Sequence, residues 1–114
     1  MGTFCILVYR FMRIISRKTL TKYWEKHTDA EQPLKAWFDE ASNANWSSAT
    51  ELKQQYRNAS IITKKRVVFN IKGNHHRLVV DIEYKLGIIF IVWIGIHDDY
   101  DKINIKEITY VETN

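Results

Sequence analysis

The sequence predicts an α+β fold in which N-terminal helices pack on one face of a small antiparallel β-sheet. In the first half of the chain, apolar residues recur at the three- to four-residue spacing of amphipathic helices. Beyond residue 60 they alternate with polar residues, which is typical of strands that bury one face. A chain of 114 residues with 46% hydrophobic content is long enough for one packed domain and too short for two.

The first predicted elements are a short strand at residues 12–16 and the helix that follows it. Ser16 is expected to cap this helix with its side chain, because serine oxygens accept hydrogen bonds from the free N–H groups of a first turn. The buried stripe of the helix is formed by Leu20, Tyr23, Trp24 and His27. Residues 1–11 do not fit this pattern. We expect them to be an extension before a domain of residues 12–114, with translation starting at Met12.

Two further helices are predicted from their first residues. Thr28 with Glu31 matches the capping box, in which two side chains satisfy each other's free backbone N–H groups. Ser48 with Glu51 repeats this pattern and opens a short third helix. The apolar stripe of the second helix consists of Leu34, Trp37, Phe38 and Ala41.

The second half of the chain predicts the strands of the sheet. Residues 67–71 and 78–82 alternate apolar and polar side chains, so each segment should bury one face. Residues 88–97 are apolar on both faces, which favours the central strand. Residues 103–111 are expected to add a final strand.

The turn between the first two of these strands determines which polar residues meet. Gly73 and Asn74 have the composition of a two-residue hairpin turn. The facing pairs would then be Lys72 with His75, Asn70 with Arg77, and Arg66 with Asp81. The opposite charges of the last pair support this register.

The next turn, at residues 85–87, determines where His97 lies. A three-residue loop with Gly87 in the left-handed conformation sets Arg77 opposite Gly95, which would leave space beside the arginine. A two-residue loop would instead turn His97 toward the core. We favour the three-residue loop because it keeps the imidazole out of the apolar layer. The residues that would share the open face, meaning the sheet face away from the helices, are Lys72, His75, Arg77 and His97.

Charge is sorted along the chain, whose formal net charge is +4. Residues 10–22 hold five basic side chains and no acid, and residues 57–77 hold six basic side chains and no acid. Acids gather at residues 25–51 and 98–107. This distribution favours a polyanionic partner.

Other sequence features exclude several classes of protein. The single cysteine, Cys5, rules out an internal disulfide and fits a reducing compartment. No Cys/His set has zinc spacing, so neither a metal nor another cofactor is expected. The apolar residues 4–9 are too few to span a membrane. We therefore expect a cytoplasmic protein without membrane contact.

Several segments together resemble the HigB-type toxins. They are residues 66–74 (RVVFNIKGN), 77–80 (RLVV), 90–91 (FI), 95–101 (GIHDDYD), 12–16 (MRIIS) and 27–37 (HTDAEQPLKAW). Family members usually have threonine where this chain has Ile96, a departure that keeps the neighbouring His97. The resemblance implies a RelE/ParE-like fold, cleavage of messenger RNA (commonly on the ribosome), and neutralisation by a helix-turn-helix antitoxin of the HigA type.

RNA cleavage of this type needs proton transfer and charge stabilisation around one phosphate, which His, Tyr, Lys, Arg and carboxylate groups can supply. Arg77 is the strongest candidate, because a cation in mid-strand can hold a phosphate in bidentate fashion. His97 can act as acid or base, and Asp101 can orient it. Tyr100 can stack on a base or stabilise the phosphate, and Lys72 borders the arginine. For each of these residues a structural role, as surface ion pair or strand-end cap, is an open alternative.

A second group of residues is expected to contact RNA without catalysis. Their charges and donors position phosphates, or, equally well, solvate a strand edge and a helix start. They are Arg17, Lys18, Lys64, Lys65, Arg66, Asn74 and His75. His76 is expected to point to the other face, because adjacent strand residues alternate.

The leading interpretation is therefore a toxin with endoribonuclease activity. A ParE-like toxin that binds DNA gyrase, or an RNA-binding domain without cleavage, remains possible on the same fold. The feature that discriminates between them is the cationic face with His97 and Tyr100, which gyrase binding does not require.

Overall fold

The computed structural model describes residues 12–109, so the predictions for residues 1–11 and 110–114 lie outside the described residues. The elements are β1 (Arg13–Ile15), α1 (Arg17–Lys26), a 3₁₀ turn (Thr28–Ala30), α2 (Glu31–Ser42), α3 (Ala49–Gln55), β2 (Ser60–Ile61), β3 (Arg66–Ile71), β4 (His76–Glu83), β5 (Ile88–Ile96) and α4 (His97–Tyr100).

The strands form one five-stranded sheet in the order β1-β5-β4-β3-β2. All neighbours are antiparallel except β1 and β5, which run parallel. The α+β fold class is confirmed, with the parallel pair as a feature that the sequence did not predict. The apolar strand β5 lies inside the sheet, as expected from its two apolar faces, but β4 occupies the centre.

The main core lies between the helices and one face of the sheet. Each of the helices α1, α2 and α3 contributes a fully buried residue, namely Leu20, Leu34 and Leu52. The strands contribute alternate residues, for example Phe69 and Leu78. Burying one such side chain stabilises a fold by about 1.5–3 kcal/mol, so this layer fixes the helices on the sheet.

The opposite sheet face is only partly open. Val68, Val79 and Val92 form a second apolar cluster there, covered by side chains that include Ile105 and Ile108. The segment that covers them, residues 101–109, consists of turns and unpaired backbone. The prediction of a strand at residues 103–111 is therefore wrong for residues 103–109, and the last two residues of this range lie outside the described residues.

Two predicted helix caps are wrong. Ser16 precedes α1 in the left-handed conformation (φ 75°), and its side chain does not cap the helix. Thr28 opens the 3₁₀ turn, so α2 begins only at Glu31, with Ala30 at its cap position and no side-chain cap. A 3₁₀ turn uses the same backbone N–H groups that a capping motif would need, and here these groups bond within the turn.

The cap of α3 is half confirmed. The Ser48 hydroxyl accepts a hydrogen bond from the Glu51 backbone N–H at 3.3 Å, as the capping box requires. The Glu51 carboxylate bonds Ser47 instead of Ser48, accepting from its backbone N–H at 3.0 Å and its hydroxyl at 2.7 Å.

The two hairpins place the polar residues as predicted, although the second reaches that register by another route. In the first, Asn70 faces Arg77 and Arg66 faces Asp81. In the second, Arg77 faces Gly95, as predicted.

The predicted three-residue loop of the second hairpin is wrong. The last pair is Glu83 with Ile88, so the connection is longer by one residue, with Gly87 left-handed (φ 66°) as expected. A register shift between Val79 and Val80 compensates for the extra residue. Such a bulge inserts one residue into one strand and bends it.

Arg66 has a structural role at the far end of the open face. Its guanidinium forms two hydrogen bonds of 2.8 Å with the Asp81 carboxylate. It also donates to the backbone carbonyls of Ile105, at 3.1 Å, and Ile108. The residue is only 7% exposed, and the Asp81 carboxylate raises the pKa of the guanidinium. Arg66 therefore anchors the covering segment and is not available to bind RNA, contrary to expectation.

We predict that Arg66→Ala lowers the free energy of unfolding by roughly 2–3 kcal/mol, because it leaves a partly buried carboxylate without its partner. Chemical denaturation followed by circular dichroism measures this change. The control is Lys65→Ala, which removes a neighbouring cation whose pair with Glu83 is exposed and should change the midpoint little. Equal midpoints for the two variants would contradict an anchoring role of Arg66.

Candidate active site

All four histidines of the chain converge on one pocket at an end of the sheet. The pocket has a volume of about 370 Å³ and is lined by His27, Asp29, His75, His76, Ile96, His97 and Asp98. These residues come from the turn after α1, from the β3–β4 turn and from the junction of β5 with α4. A larger pocket of about 500 Å³ beside α3 and β2 has no histidine or acid in its lining. The histidine pocket is therefore the candidate site.

His97 lies where β5 ends and α4 begins. Its Nδ1 is 3.4 Å from the Asp101 carboxylate, one helical turn later, and 4.0 Å from that of Asp98. The His97 side chain is 44% exposed. An imidazole that is oriented through Nδ1 leaves Nε2 for proton transfer.

Arg77 sits next to this position, because it pairs with Gly95 on the adjacent strand. Its guanidinium lies 5.6 Å from the centre of the Tyr100 ring, at cation–π distance, and donates to the Asn74 carbonyl at 3.0 Å. The Tyr100 ring in turn lies 6.2 Å from that of Trp93. The predicted residues Arg77, His97, Tyr100 and Asp101 are thus brought together.

Lys72 reaches this site through Asp29, which lines the pocket, and its ammonium group lies on the side of the helix-facing His76 and not on the open face with Arg77, contrary to expectation. It lies in the exposed β3–β4 turn with a left-handed backbone (φ 52°). Its ammonium group is 3.3 Å from Asp29 Oδ2, and the same oxygen is 3.0 Å from His76 Nε2. His76 Nδ1 is 2.6 Å from the Tyr23 hydroxyl. These four side chains form one continuous set of hydrogen bonds, which we call the Tyr23–Lys72 network.

The protonation states in the Tyr23–Lys72 network follow from its geometry. The hydrogen bond from His76, followed by the one from Lys72, lowers the pKa of Asp29, so this carboxylate is ionised and accepts. His76 Nε2 must then carry a proton, and in the neutral ring Nδ1 accepts from the Tyr23 hydroxyl. Burial, with the nearby charge of Asp29, raises the pKa of Tyr23 to about 12, so its hydroxyl keeps the proton that it donates.

Aromatic contacts hold the base of the pocket. The rings of Tyr23 and His27 stack with centres 4.2 Å apart, and His27 meets His76 edge-on at 6.0 Å. His76 itself is only 3% exposed. The C-terminal end of α1 is thereby tied to the first residue of β4.

Sequence reasoning did not assign several members to this site, among them Tyr23, His27, Asp29 and His76. His76 faces the helices, as its strand parity predicted, yet it lines the pocket because the pocket lies at the end of that face. One signal was available. An imidazole on a core-facing position needs a partner, but only the packing of α1 on the sheet shows which groups supply it.

The residues predicted to contact RNA do not all lie together. Asn74 and His75 occupy the exposed turn beside Arg77. Arg17 and Lys18 open α1, whose opposite end contacts the pocket, and the Arg17 guanidinium lies over the Phe38 ring at 4.9 Å. Lys64 and Lys65 precede β3, also at its far end from the pocket. The turn residues therefore lie beside the candidate site, whereas the other predicted residues lie away from it.

Within residues 12–109 no three His, Cys, Asp or Glu side chains are arranged to hold a metal ion. In the same range no helix is long and apolar enough to cross a membrane.

Gly95 does not leave space beside Arg77, contrary to expectation. A Cβ at this position would lie 2.3 Å from the Trp93 ring, so the indole occupies the room above the glycine. The glycine thereby allows Trp93 to lie against Tyr100, which supports the guanidinium of Arg77.

We predict that Gly95→Ala displaces the Trp93 indole and destabilises the protein by about 1–3 kcal/mol, as overpacking does. Tryptophan fluorescence measures the displacement. Subtracting the emission spectrum of the Trp93→Phe derivative isolates the Trp93 signal, which should be shifted relative to the same signal in the wild type. Gly73→Asn is the control, because a Cβ there contacts nothing within 4 Å and asparagine tolerates the left-handed backbone. An unchanged Trp93 signal in Gly95→Ala would refute this close packing.

The comparison with known families identifies the chain. Residues 30–103 match the family described as HigB toxin, RelE-like toxic component of a toxin-antitoxin system. No match was found among curated proteins. The family match begins at Ala30, later than the sequence resemblance suggested, so it includes Arg77 and His97 but not Tyr23. Because the match spans more than half of the chain and the fold is α+β as predicted, this protein belongs to the HigB toxin family.

Proposed function

We propose that this toxin is an endoribonuclease that cleaves messenger RNA on the ribosome in the cytoplasm, and so inhibits translation and growth. One observation carries the proposal: the His97 imidazole lines an open pocket with the Asp101 carboxylate 3.4 Å from its Nδ1, and Arg77 pairs with Gly95, two residues before His97. A proton-transfer group beside a phosphate-binding cation is what RNA cleavage requires.

The proposed reaction is an internal transfer at one phosphate. The 2′-oxygen of the RNA forms a bond to phosphorus and loses its proton, while the bond from phosphorus to the 5′-oxygen breaks and that oxygen gains a proton. The products are a 2′,3′-cyclic phosphate and a free 5′-hydroxyl. His97 moves a proton at one of the two oxygens through Nε2, with Asp101 stabilising the charged ring.

Cations stabilise the phosphorane that forms between these steps. Arg77 can bind two of its oxygens at once, because the guanidinium presents parallel N–H groups. Tyr100 keeps the guanidinium in place through the cation–π contact. Lys72 adds a second positive charge from the adjacent turn, and Asn74 and His75 on that turn contact the RNA beside the cleaved bond.

In this proposal, the nucleotides away from the cleaved bond are bound by charge alone. Arg17 and Lys18 at the start of α1, and Lys64 and Lys65 before β3, would position flanking phosphates without sequence preference. Arg66 has no part in it. Neither a gyrase-binding toxin nor a non-cleaving RNA-binding domain needs the oriented imidazole of His97.

We predict that Arg77→Ala lowers the cleavage rate by about 10²–10³ and His97→Ala by about 10²–10⁴, while both variants keep the fold. The measurement is cleavage of a messenger RNA in a translating extract, with the ends of the fragments sequenced. Arg13→Ala is the matched control, because this exposed arginine pairs with Ile88, at the opposite end of β5 from His97.

The same assay tests the remaining parts of this proposal. Toxin that has been treated with EDTA and then freed of the chelator should cleave RNA on intact, stalled ribosomes as fast as untreated toxin. Full cleavage by His97→Ala would assign the proton transfer to Tyr100 or a lysine. Intact RNA with wild-type toxin, together with inhibited DNA gyrase, would replace the nuclease by the gyrase-binding alternative.

We further predict that a helix-turn-helix antitoxin of the HigA type binds this toxin tightly and that the toxin alone arrests growth. Membership of a toxin-antitoxin family implies an antitoxin partner, and the basic residues of the chain favour a complementary surface on it. Arg77→Ala and His97→Ala should copurify with the antitoxin yet permit growth without it. Normal growth of cells that contain folded wild-type toxin without antitoxin would contradict the proposed activity.

A further inference from the structure

Asp29 is an acid at the rim of a site proposed to bind a polyanion, where its charge opposes binding. Its Oδ2 contacts both His76, at 3.0 Å, and Lys72, at 3.3 Å. A carboxylate in this place therefore needs a function that offsets the repulsion of phosphate.

The carboxylate is held from the inside of the protein. His76, almost completely buried, donates to it from Nε2 and is itself fixed through Nδ1 by the Tyr23 hydroxyl. The stacking of Tyr23 on His27 fixes the other end of this arrangement. Asp29 is therefore an exposed group on a rigid support.

Lys72 has no such support of its own. It lies in an exposed turn, and a lysine ammonium on its four-carbon chain samples many positions unless a partner holds it. The pair with Asp29 is solvent-accessible on both sides, with 44% and 42% of the side chains exposed. Such pairs contribute little to stability. The contact is thus strong enough to direct the ammonium group and weak enough to give way to a phosphate.

We infer that Asp29, supported by His76 and Tyr23, is a positioning residue that orients Lys72 for the cleaved phosphate. The inference rests on the proposed ribonuclease function. According to this inference, the Tyr23–Lys72 network increases the cleavage rate of the toxin–RNA complex and does not strengthen RNA binding. The charge that attracts RNA stays on Lys72 when Asp29 is altered.

The experiment is single-turnover cleavage on purified ribosomes that carry a messenger RNA, with the toxin in excess at increasing concentrations. It yields a saturating rate and a half-saturating toxin concentration. The variants are Asp29→Asn, His76→Leu and Tyr23→Phe, and the control is Asp39→Asn on the exposed side of α2. Thermal unfolding of each variant verifies that it is folded at the assay temperature.

Asp29→Asn and His76→Leu should each reduce the saturating rate about tenfold or more, since small misplacements of a catalytic group have effects of this size. The half-saturating concentration should stay the same or fall, because a repulsive charge is removed or loosened. Tyr23→Phe should show a smaller loss in the same direction, and Asp39→Asn should match the wild type.

Two further variants separate positioning from a general structural effect. His76→Gln can keep an N–H donor near Asp29 and should recover most of the rate that His76→Leu loses. In a Lys72→Ala background, Asp29→Asn should change the saturating rate by less than about twofold, because residues that act through one group are not additive.

Each remaining outcome is decisive. Wild-type saturating rates in folded Asp29→Asn and His76→Leu would overturn the inference while leaving the nuclease proposal intact. So would a full effect of Asp29→Asn in the Lys72→Ala background, or a loss confined to the half-saturating concentration. An inactive wild-type toxin would refute the proposed function itself.

Discussion

Arg77 faces Gly95 only because β4 and β5 change register between Val79 and Val80. At the turn that joins these strands Glu83 faces Ile88. Continuing that register would place Arg77 opposite Ile94 and turn His97 toward the core. The bulge, which inserts one residue into β5, restores the pairing of Arg77 with Gly95, and the chain after β5 then brings Tyr100 to the side of Arg77. The contact of Arg77 with Tyr100 follows from this shift, as does the bond from the His97 backbone N–H to the His75 carbonyl.

The register of the site was predictable, but its cause was not. The Gly73-Asn74 turn and the facing charges of Arg66 and Asp81 were sufficient to place the first hairpin. For the second hairpin, the preference for His97 outside the apolar layer gave the right pairing with the wrong loop. Burial constrains which face a side chain takes, so it predicts the parity of a strand pair reliably. It does not reveal whether the loop or a bulge supplies the extra residue.

The unpredicted part of the site comes from tertiary packing. Tyr23 and His27 have the spacing of an ordinary buried stripe, and Asp29 has that of a helix start. Only the placement of α1 on the sheet brings them to His76, whose two ring nitrogens bond Tyr23 and Asp29. Period and capping patterns describe each element alone, whereas a buried imidazole is satisfied by whichever elements meet around it.

Two arginines on the open face, Arg66 and Arg77, differ in role because the segment after α4 covers only one of them. Strand parity places Arg66 and Arg77 on the same face, so the sequence treats them alike. The segment after α4 folds back over the Arg66 end, where its carbonyls and Asp81 accept four hydrogen bonds from the guanidinium. At the other end the chain leaves β5 through the short helix α4, which places Tyr100 beneath Arg77 and leaves the pocket beyond it open. The course of the covering segment, more than the charge of either arginine, therefore decides which one can meet a phosphate.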